Sequence, residues 1–353
     1  MKNRKIVALS GSVVFLIALI LPSVAGCKPA PTVPPESEVI TLTSIRSYPI
    51  DHRLNVGYRE YIKLMSEKSK GRVVIKDLGG SEAYPLGQQI EVVSKGVVDM
   101  LNGPAYWGGY IPEVEAVFHT FGATPMFLRK IGMLDFYDKL FREKLGVAVL
   151  GLPSYIRFVI FLKKPIRTLD DLKGLRLRTV AGAYTSVVEG LGASPVGVPP
   201  TDMYSALERG LVDGVCFPLQ VSDLGVADVA KYVVFPPFWV CTDYFLCINA
   251  SKLDGLPADA KKLVVSTAED LDRNTVEVWN KEAMAEWKVL QQKGVQAITI
   301  SDEEWLRVQK MNWDAGMARL KQVVTSPENY TALEQFCLQT YPPKKEVMKL
   351  PWQ

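Results

Sequence analysis

Two arginines carry the chemistry that this sequence offers most plainly. Arg157 is the single charge in the apolar run Tyr155–Leu162. A lone charge inside such a buried-strand run is costly unless it is paired. It reads either as half of a structural salt bridge with an Asp or Glu, or as a cation facing a cleft and a ligand anion. Arg178 ends the run Asp170-Asp171-Leu172-Lys173-Gly174-Leu175-Arg176-Leu177-Arg178. Leu175 and Leu177 alternate with Arg176 and Arg178 as on a strand, which turns Arg178 away from that strand's core packing. A guanidinium is a planar fork of N–H donors and matches a carboxylate through two parallel bonds.

Catalytic constellations do not emerge beside these cations. The chain has 2 histidines, His52 and His119, and a lone histidine is more often structural. No GxSxG, HExxH or glycine-rich phosphate loop occurs. Gly192-Ala193-Ser194-Pro195 reads as a turn, not a nucleophile elbow. Asp170/Asp171 and Glu303/Glu304 sit at helix starts, where capping explains paired acids. Beyond Cys27 the cysteines are Cys216, Cys241, Cys247 and Cys337, without a CxxC or Cys/His cluster for a metal. Cys241 and Cys247 lie in an apolar, strand-like run and read as buried thiols, although an exported chain can form a disulfide. The expectation is a protein that is not an enzyme and carries no cofactor.

The 353 residues allow two domains with sizeable cores. The formal charge is +3, and Lys2, Arg4 and Lys5 account for it. Without them the basic and acidic residues balance, so no basic field draws nucleic acid. Those three charges begin a targeting segment over residues 1–26. An apolar run, Ile6–Leu21, follows them and leads to Val24-Ala25-Gly26-Cys27. Small residues before a cysteine look like a bacterial lipoprotein cleavage box, in which Cys27 takes the lipid. The alternative, an uncleaved spanning helix, requires a longer run. Residues 27–38, with Pro29, Pro31, Pro34 and Pro35, read as a tether stiffened by proline.

The elements that must position the arginines follow from periodicity. Val39–Ser44, Arg72–Leu78 and Val97–Leu101 read as strands, separated by helices at Asn55–Ser69 and Leu86–Lys95. That βαβαβ order argues for an open α/β sheet. Such sheets bind ligands beyond their strand ends, where Tyr106-Trp107-Gly108-Gly109-Tyr110 offers either a stacking wall or a packed loop. A linker spans Pro112–Pro125, a helix Ile131–Leu145 and a strand Val147–Leu150. Tyr155–Leu162 reads as a strand crossing between lobes. Arg178 lies in a strand–helix–strand unit whose helix begins near Met203, ends at Gly210 and leads into Val212-Asp213-Gly214. Tyr244–Asn249 is a return strand. Helices cover Ala258 to about Gln292, Ser301–Leu320 with a Ser301/Glu304 capping box, and Thr331–Gln339.

The order Asp170-Asp171-Leu172-Lys173-Gly174-Leu175-Arg176-Leu177-Arg178, Leu191-Gly192-Ala193-Ser194-Pro195 and Tyr204…Gly210…Val212-Asp213-Gly214 resembles the dicarboxylate-binding solute receptors of TRAP transporters. Weaker agreement runs over nearly all of the mature chain. The resemblance implies a two-lobed α/β fold of the periplasmic-binding-protein type, with a ligand cleft between lobes and a long helix spanning both. It sets lobe I at 39–156 with 243–282, lobe II at 157–242 with 283–325, and a C-terminal helix and tail at 326–353. It further implies that Arg178 makes the bidentate carboxylate contact, that Arg176 is structural or solvent-facing, and that Arg157 matches a second pocket arginine.

Two departures from the family pattern bear on the ligand. Phe217 stands where many members have an asparagine that bonds the ligand carboxylate. Trp239 matches a tryptophan of the keto-acid-binding branch, but Val240 replaces the glutamate that holds a metal there. An apolar side chain cannot ligate a hard cation, so no pocket metal is expected. With Trp107, Phe217 and Trp239 as walls, the ligand is expected to be an organic acid with an apolar or aromatic tail. By resemblance, the partners are a small and a large TRAP membrane subunit, uptake is driven by an ion gradient, typically sodium, and the protein is extracytoplasmic and lipid-anchored. Two rivals remain: a receptor of the same fold feeding a signalling partner, and an exported enzyme on this scaffold.

Overall fold

The computed structural model describes residues 39–105, 109–117, 122–179, 183–242 and 244–341. Its first elements are β1 (Ile40–Arg46), α1 (Val56–Ser69), β2 (Val73–Asp77), α2 (Gln89–Ser94), β3 (Met100–Gly103), α3 (Pro112–Val117), α4 (Pro125–Lys130), α5 (Met133–Leu145) and β4 (Val147–Gly151). Next come β5 (Ile156–Leu162), β6 (Arg176–Thr179), α6 (Ala183–Gly190), β7 (Ser194–Gly197), α7 (Met203–Glu208), β8 (Gly214–Pro218), α8 (Val226–Val229) and β9 (Tyr232–Cys241). The chain then returns through β10 (Phe245–Asn249) and α9 (Ala250–Asp254) to α10 (Ala258–Gln292), β11 (Gln296–Thr299), α11 (Asp302–Val323) and α12 (Pro327–Thr340).

These strands form two sheets, ordered β2-β1-β3-β10-β4 and β11-β9-β5-β8-β6-β7 among the described residues. β1 is parallel to β2 and β3, as the βαβαβ reading requires, while β10 inserts antiparallel between β3 and β4. Beside the first sheet lies an apolar layer in which Leu42 and Met100 meet Tyr61 of α1 and Val264 and Leu271 of α10. The second sheet, the other face of the first sheet (Ile45, Leu101, Val149, Cys247), the last part of α10 and the remaining helices share a larger contiguous core.

Several expectations shift. The strand expected at Val97–Leu101 starts at Met100 instead. Gly96, at φ +69°, closes the preceding helix, and Val97 is 70% exposed in the turn, so its apolar character marks no strand. The Pro112–Pro125 segment contains α3 and the first residue of α4. The expected turn at Gly192–Pro195 is only half a turn, because Ser194 begins β7, parallel to β6. The strand–helix–strand unit therefore contains an additional helix and strand, α6 and β7. β11 is short and mostly exposed, which left it without an alternation signal.

β5 does not itself cross between the sheets. It pairs wholly inside the second sheet, with β8 and β9. The crossing falls in Leu152–Tyr155, a segment held from two sides. Asp272 of α10 accepts the Leu152 N–H at 2.9 Å and the Arg129 Nε–H at 2.6 Å, and Arg129 Nη2 donates to the Leu150 carbonyl. Trp279 Nε1 donates to the Pro153 carbonyl, and the Tyr244 N–H of the return crossing donates to Ser154 Oγ. On the other side α1 presents Gly57, where an added Cβ would stand 2.0 Å from the Pro153 carbonyl oxygen.

The long strand β9 contains Pro236 and Pro237, which lack an N–H for the ladder. Its register against β5 jumps from Phe158↔Trp239 to Ile160↔Val234. The bulged carbonyls are satisfied from α11: Trp305 Nε1 donates to the Pro237 carbonyl, and Gln309 Nε2 and Asn312 Nδ2 donate to that of Phe238. α11 opens with the expected capping box, Ser301 and Glu304.

Two outcomes check the crossing. Gly57→Ala forces backbone apart at Pro153 and is expected to cost about 1–3 kcal/mol in urea melts, the usual range for overpacking. Burial pushes the Asp272 carboxyl up to about 6 from an ordinary value of 3.8, with Arg129 opposing. A carboxyl raised on folding contributes stability that is fully present below its unfolded pKa and is lost as pH rises through its folded pKa. Between pH 4 and 6, wild-type stability should therefore fall relative to Asp272→Asn, and urea midpoints across that window measure the slope.

Candidate functional site

Local sequence builds the Arg178 strand from both ends. Thr168 and Asp171 form a capping box around the short helical turn Leu169–Leu172, and Gly174 adopts φ +79° to start the strand. Leu177 is fully buried. Arg176 is exposed and grips Asp213 through Nε and Nη2, at 3.0 and 2.9 Å. Arg178 shares the alternation of Arg176 but not its exposure, because its relative exposure is 0%. Its Nε–H donates to the Val198 carbonyl at 2.8 Å, and Nη1 reaches the Cys216 carbonyl at 3.5 Å. Its guanidinium carbon stands 5.1 Å from the centroid of the Phe217 ring. That distance lies within cation–π range, so the ring face stabilises the charge.

Arg157 is 5% exposed. Its Nη2 donates to Asn280 Oδ1 of α10 at 2.7 Å, and its guanidinium lies 4.7 Å over the Tyr155 ring. Among the described residues no carboxylate lies within ion-pair distance of it, and its buried Nε has no acceptor. The salt-bridge reading of Arg157 thus finds no acid there. Burial lowers its pKa to about 10, which leaves it charged at neutral pH. A buried cation held by an amide oxygen and a ring keeps unspent attraction for an anion.

Strand register assembles three of the expected residues. β8 lies between β5 and β6, Val159 is opposite Phe217, and Arg178 is beside Val215. Alternation then puts Arg157, Phe217 and Arg178 on one face of three neighbouring strands. Trp239 does not join them. It pairs with Phe158 on the opposite face, and the two rings stack at 5.5 Å and 23°. Val240 is buried directly across from Arg157. Trp107, His119 and Cys27 lie outside the described residues.

Sequence reasoning missed Asn280 and the Val198 carbonyl. Asn280 sits half-buried on a 35-residue helix and has no local signal. Tyr155 was visible, two residues before Arg157, but only the fold turns its ring under the guanidinium. No group of His, Cys, Asp and Glu among the described residues could hold a metal ion, and no described helix is long and apolar enough to cross a membrane.

Comparison with known proteins adds the following. The sequence model of the family described as "Bacterial extracellular solute-binding protein, family 7" matches residues 55–316. The chain is 23% identical over 273 residues to a monocarboxylate 2-oxoacid-binding periplasmic protein of Nostoc sp., covering 73% of each chain. It is 25% identical over 264 residues to the 2,3-diketo-L-gulonate-binding periplasmic protein of Escherichia coli, covering 71% of this chain and 78% of that one. Among solved structures, a TRAP periplasmic solute-binding protein from Desulfovibrio salexigens with bound orotic acid superimposes with TM-score 0.71 at 20% identity, covering 85% of this chain and 99% of that one. This last likeness shows the two-lobed α/β fold.

Burial also predicts thiol behaviour. Cys216 and Cys247 are free and buried; burial pushes the Cys216 thiol up to about 12, against the nearby Arg178, and the Cys247 thiol well up. Both should resist iodoacetamide at pH 8 in the native protein and react once it is denatured, as read by peptide mass spectrometry.

Proposed function

The chain belongs to family 7 of the bacterial extracellular solute-binding proteins, and on that premise we propose that it is the receptor of a TRAP-type transporter, binding an organic acid through Arg178. The observation that carries this reading is the buried Arg178–Phe217 pair, with Arg157 on the same face of the sheet. A carboxylate presented to this face meets preorganised donors in a dry setting, where hydrogen bonds to charge are strong. The lobes are 39–156 with 243–282 and 157–242 with 283–325, and the ligand sits between them. Hinge closure then buries the acid and presents the closed form to a small and a large membrane subunit.

Phe217 supports a monocarboxylate over a dicarboxylate. It places an aromatic ring where a second polar donor would be needed, and burying a carboxylate without donors is costly. The likeness to the Nostoc protein supports the same class. Trp107 is the further aromatic candidate for the tail, whereas Trp239 faces away from Arg178 in strand register. Val240 offers nothing to a metal, so binding should withstand a chelator. Cys27, behind Val24-Ala25-Gly26, is the proposed lipid attachment site that keeps the receptor at the membrane.

Calorimetry with matched acids tests the pocket. Arg178→Lys keeps the charge but loses the fork, so affinity should fall at least about tenfold. Phe217→Asn should shift preference toward dicarboxylates. Normal binding by Arg178→Lys, or a wild-type preference for succinate over aromatic or branched monocarboxylates, would overturn the assignment. For the anchor, Cys27→Ala should release the protein from membranes or leave it unprocessed, as read by fractionation; normal processing and retention would refute it.

A further inference from the structure

Outside the arginine face, a densely bonded polar cluster lies where the two sheets approach each other through α10. Arg53 sits in the short helical turn Arg53–Asn55 between β1 and α1. Its Nη1 donates to Glu282 Oε1 at 2.5 Å, and its Nε lies 2.9 Å from Glu286 Oε2, both on α10. The Glu286 side chain is 0% exposed. Its Oε1 accepts the Val221 and Ser222 N–H groups at 2.8 and 2.7 Å, and its Oε2 accepts the Ser222 hydroxyl at 2.7 Å. Next to Arg53, His52 presents Nε2 to Asp223 Oδ2 at 3.8 Å, while its Nδ1 accepts the Leu54 N–H.

These contacts span the molecule. Along its first part α10 rests on α1, where Tyr61 donates to the Val264 carbonyl. Its last turns belong with the second sheet: Trp287 meets the Phe235 ring edge-on, and Lys231 Nζ donates to the Lys293 carbonyl. Glu286 lies in that last part and grips the loop that follows β8, the strand that carries Phe217. Arg53 approaches from the first-sheet side. Its guanidinium is the one described cation paired with this buried carboxylate. Burial raises the Glu286 pKa, and the Ser222 and Val221 donors and Arg53 hold it down.

We propose that Arg53 is a positioning residue that sets ligand affinity from a distance, as the first-sheet half of a clasp, completed by Glu282, Glu286 and the Val221–Asp223 loop, that holds the two sheets closed. The proposal rests on the receptor reading above, since a clasp matters only where closure captures a ligand. Rotation of the sheets about the Leu152–Tyr155 crossing draws Arg53 away from Glu286 and leaves that carboxylate with second-sheet donors alone. Losing a charged bond to a buried group makes closure less favourable, and apparent affinity falls with the closed fraction.

The test reads closure without a ligand. Spin labels on exposed Lys63→Cys of α1 and Lys164→Cys beyond β5 report the separation of the sheets by pulsed electron resonance. Arg53→Gln should raise the ratio of open to closed molecules by about tenfold in the ligand-free protein. Glu286→Gln, which removes the charge that Arg53 meets across the sheets, should raise the ratio likewise and covers the case in which Arg53→Gln folds poorly. Distance distributions indistinguishable from wild type in both variants would overturn the clasp. Failure of the receptor reading is separate: the wild-type distances would then not shorten with benzoate, 2-oxoisovalerate or succinate, and Arg178→Lys would leave binding of these acids unchanged.

Discussion

One carboxylate, that of Asp272, organises the junction on which the rest of the molecule depends. Two sheets of a single chain must meet without leaving backbone polar groups stranded in the connection. Asp272 takes the Leu152 N–H and, through Arg129, indirectly serves the Leu150 carbonyl. The geometry tolerates little change nearby, since a side chain at Gly151 would meet Asp272 Oδ1 at 3.0 Å. Gly57 and Trp279 press the same few residues from α1 and α10. Such a tight, hydrogen-bonded crossing fixes where the two sheets join.

The arginine face begins directly beyond that crossing. Arg157 follows it by a few residues, so its position is fixed by the same contacts. Burying guanidinium groups costs desolvation, and this chain compensates with rings and neutral oxygens: Tyr155 and Asn280 at Arg157, Phe217 and Val198 at Arg178. At Arg157 the described partners, an amide oxygen and a ring, hold the cation in place without cancelling its charge. An aspartate there would stabilise the free protein better and leave less attraction for an incoming anion. Phe217 thus supports the cation on one side and supplies apolar surface as well.

α10 and α11 extend this logic outward. α10 supplies Asp272 to the crossing, Asn280 to Arg157 and Glu286 to the loop after β8, along one continuous helix. α11 satisfies the carbonyls of the bulge in β9 and so permits two prolines in a strand that turns Trp239 onto Phe158. These helices are rigid elements that carry position between the sheets.

Patterns with short range were legible in the sequence. The span Ala258–Gln292, the Ser301/Glu304 cap and the strand ending near Arg178 all depend on residues within a few positions of one another. The same holds for the family motif, whose glycines mark backbone turns. Pairing across the chain was not legible. Nothing local distinguishes Arg176, which Asp213 holds at the surface, from Arg178, which lies wholly buried two residues later. Trp239 looked like a pocket wall until its register with Phe158 put it on the opposite face. Side-chain direction in a sheet depends on which strand lies alongside and in what register, and a shift of one residue reverses it. Periodicity and motif therefore determined that the protein has an α/β fold with one arginine inside an apolar strand, and only the tertiary structure decided that Arg178 is buried and which groups surround each arginine.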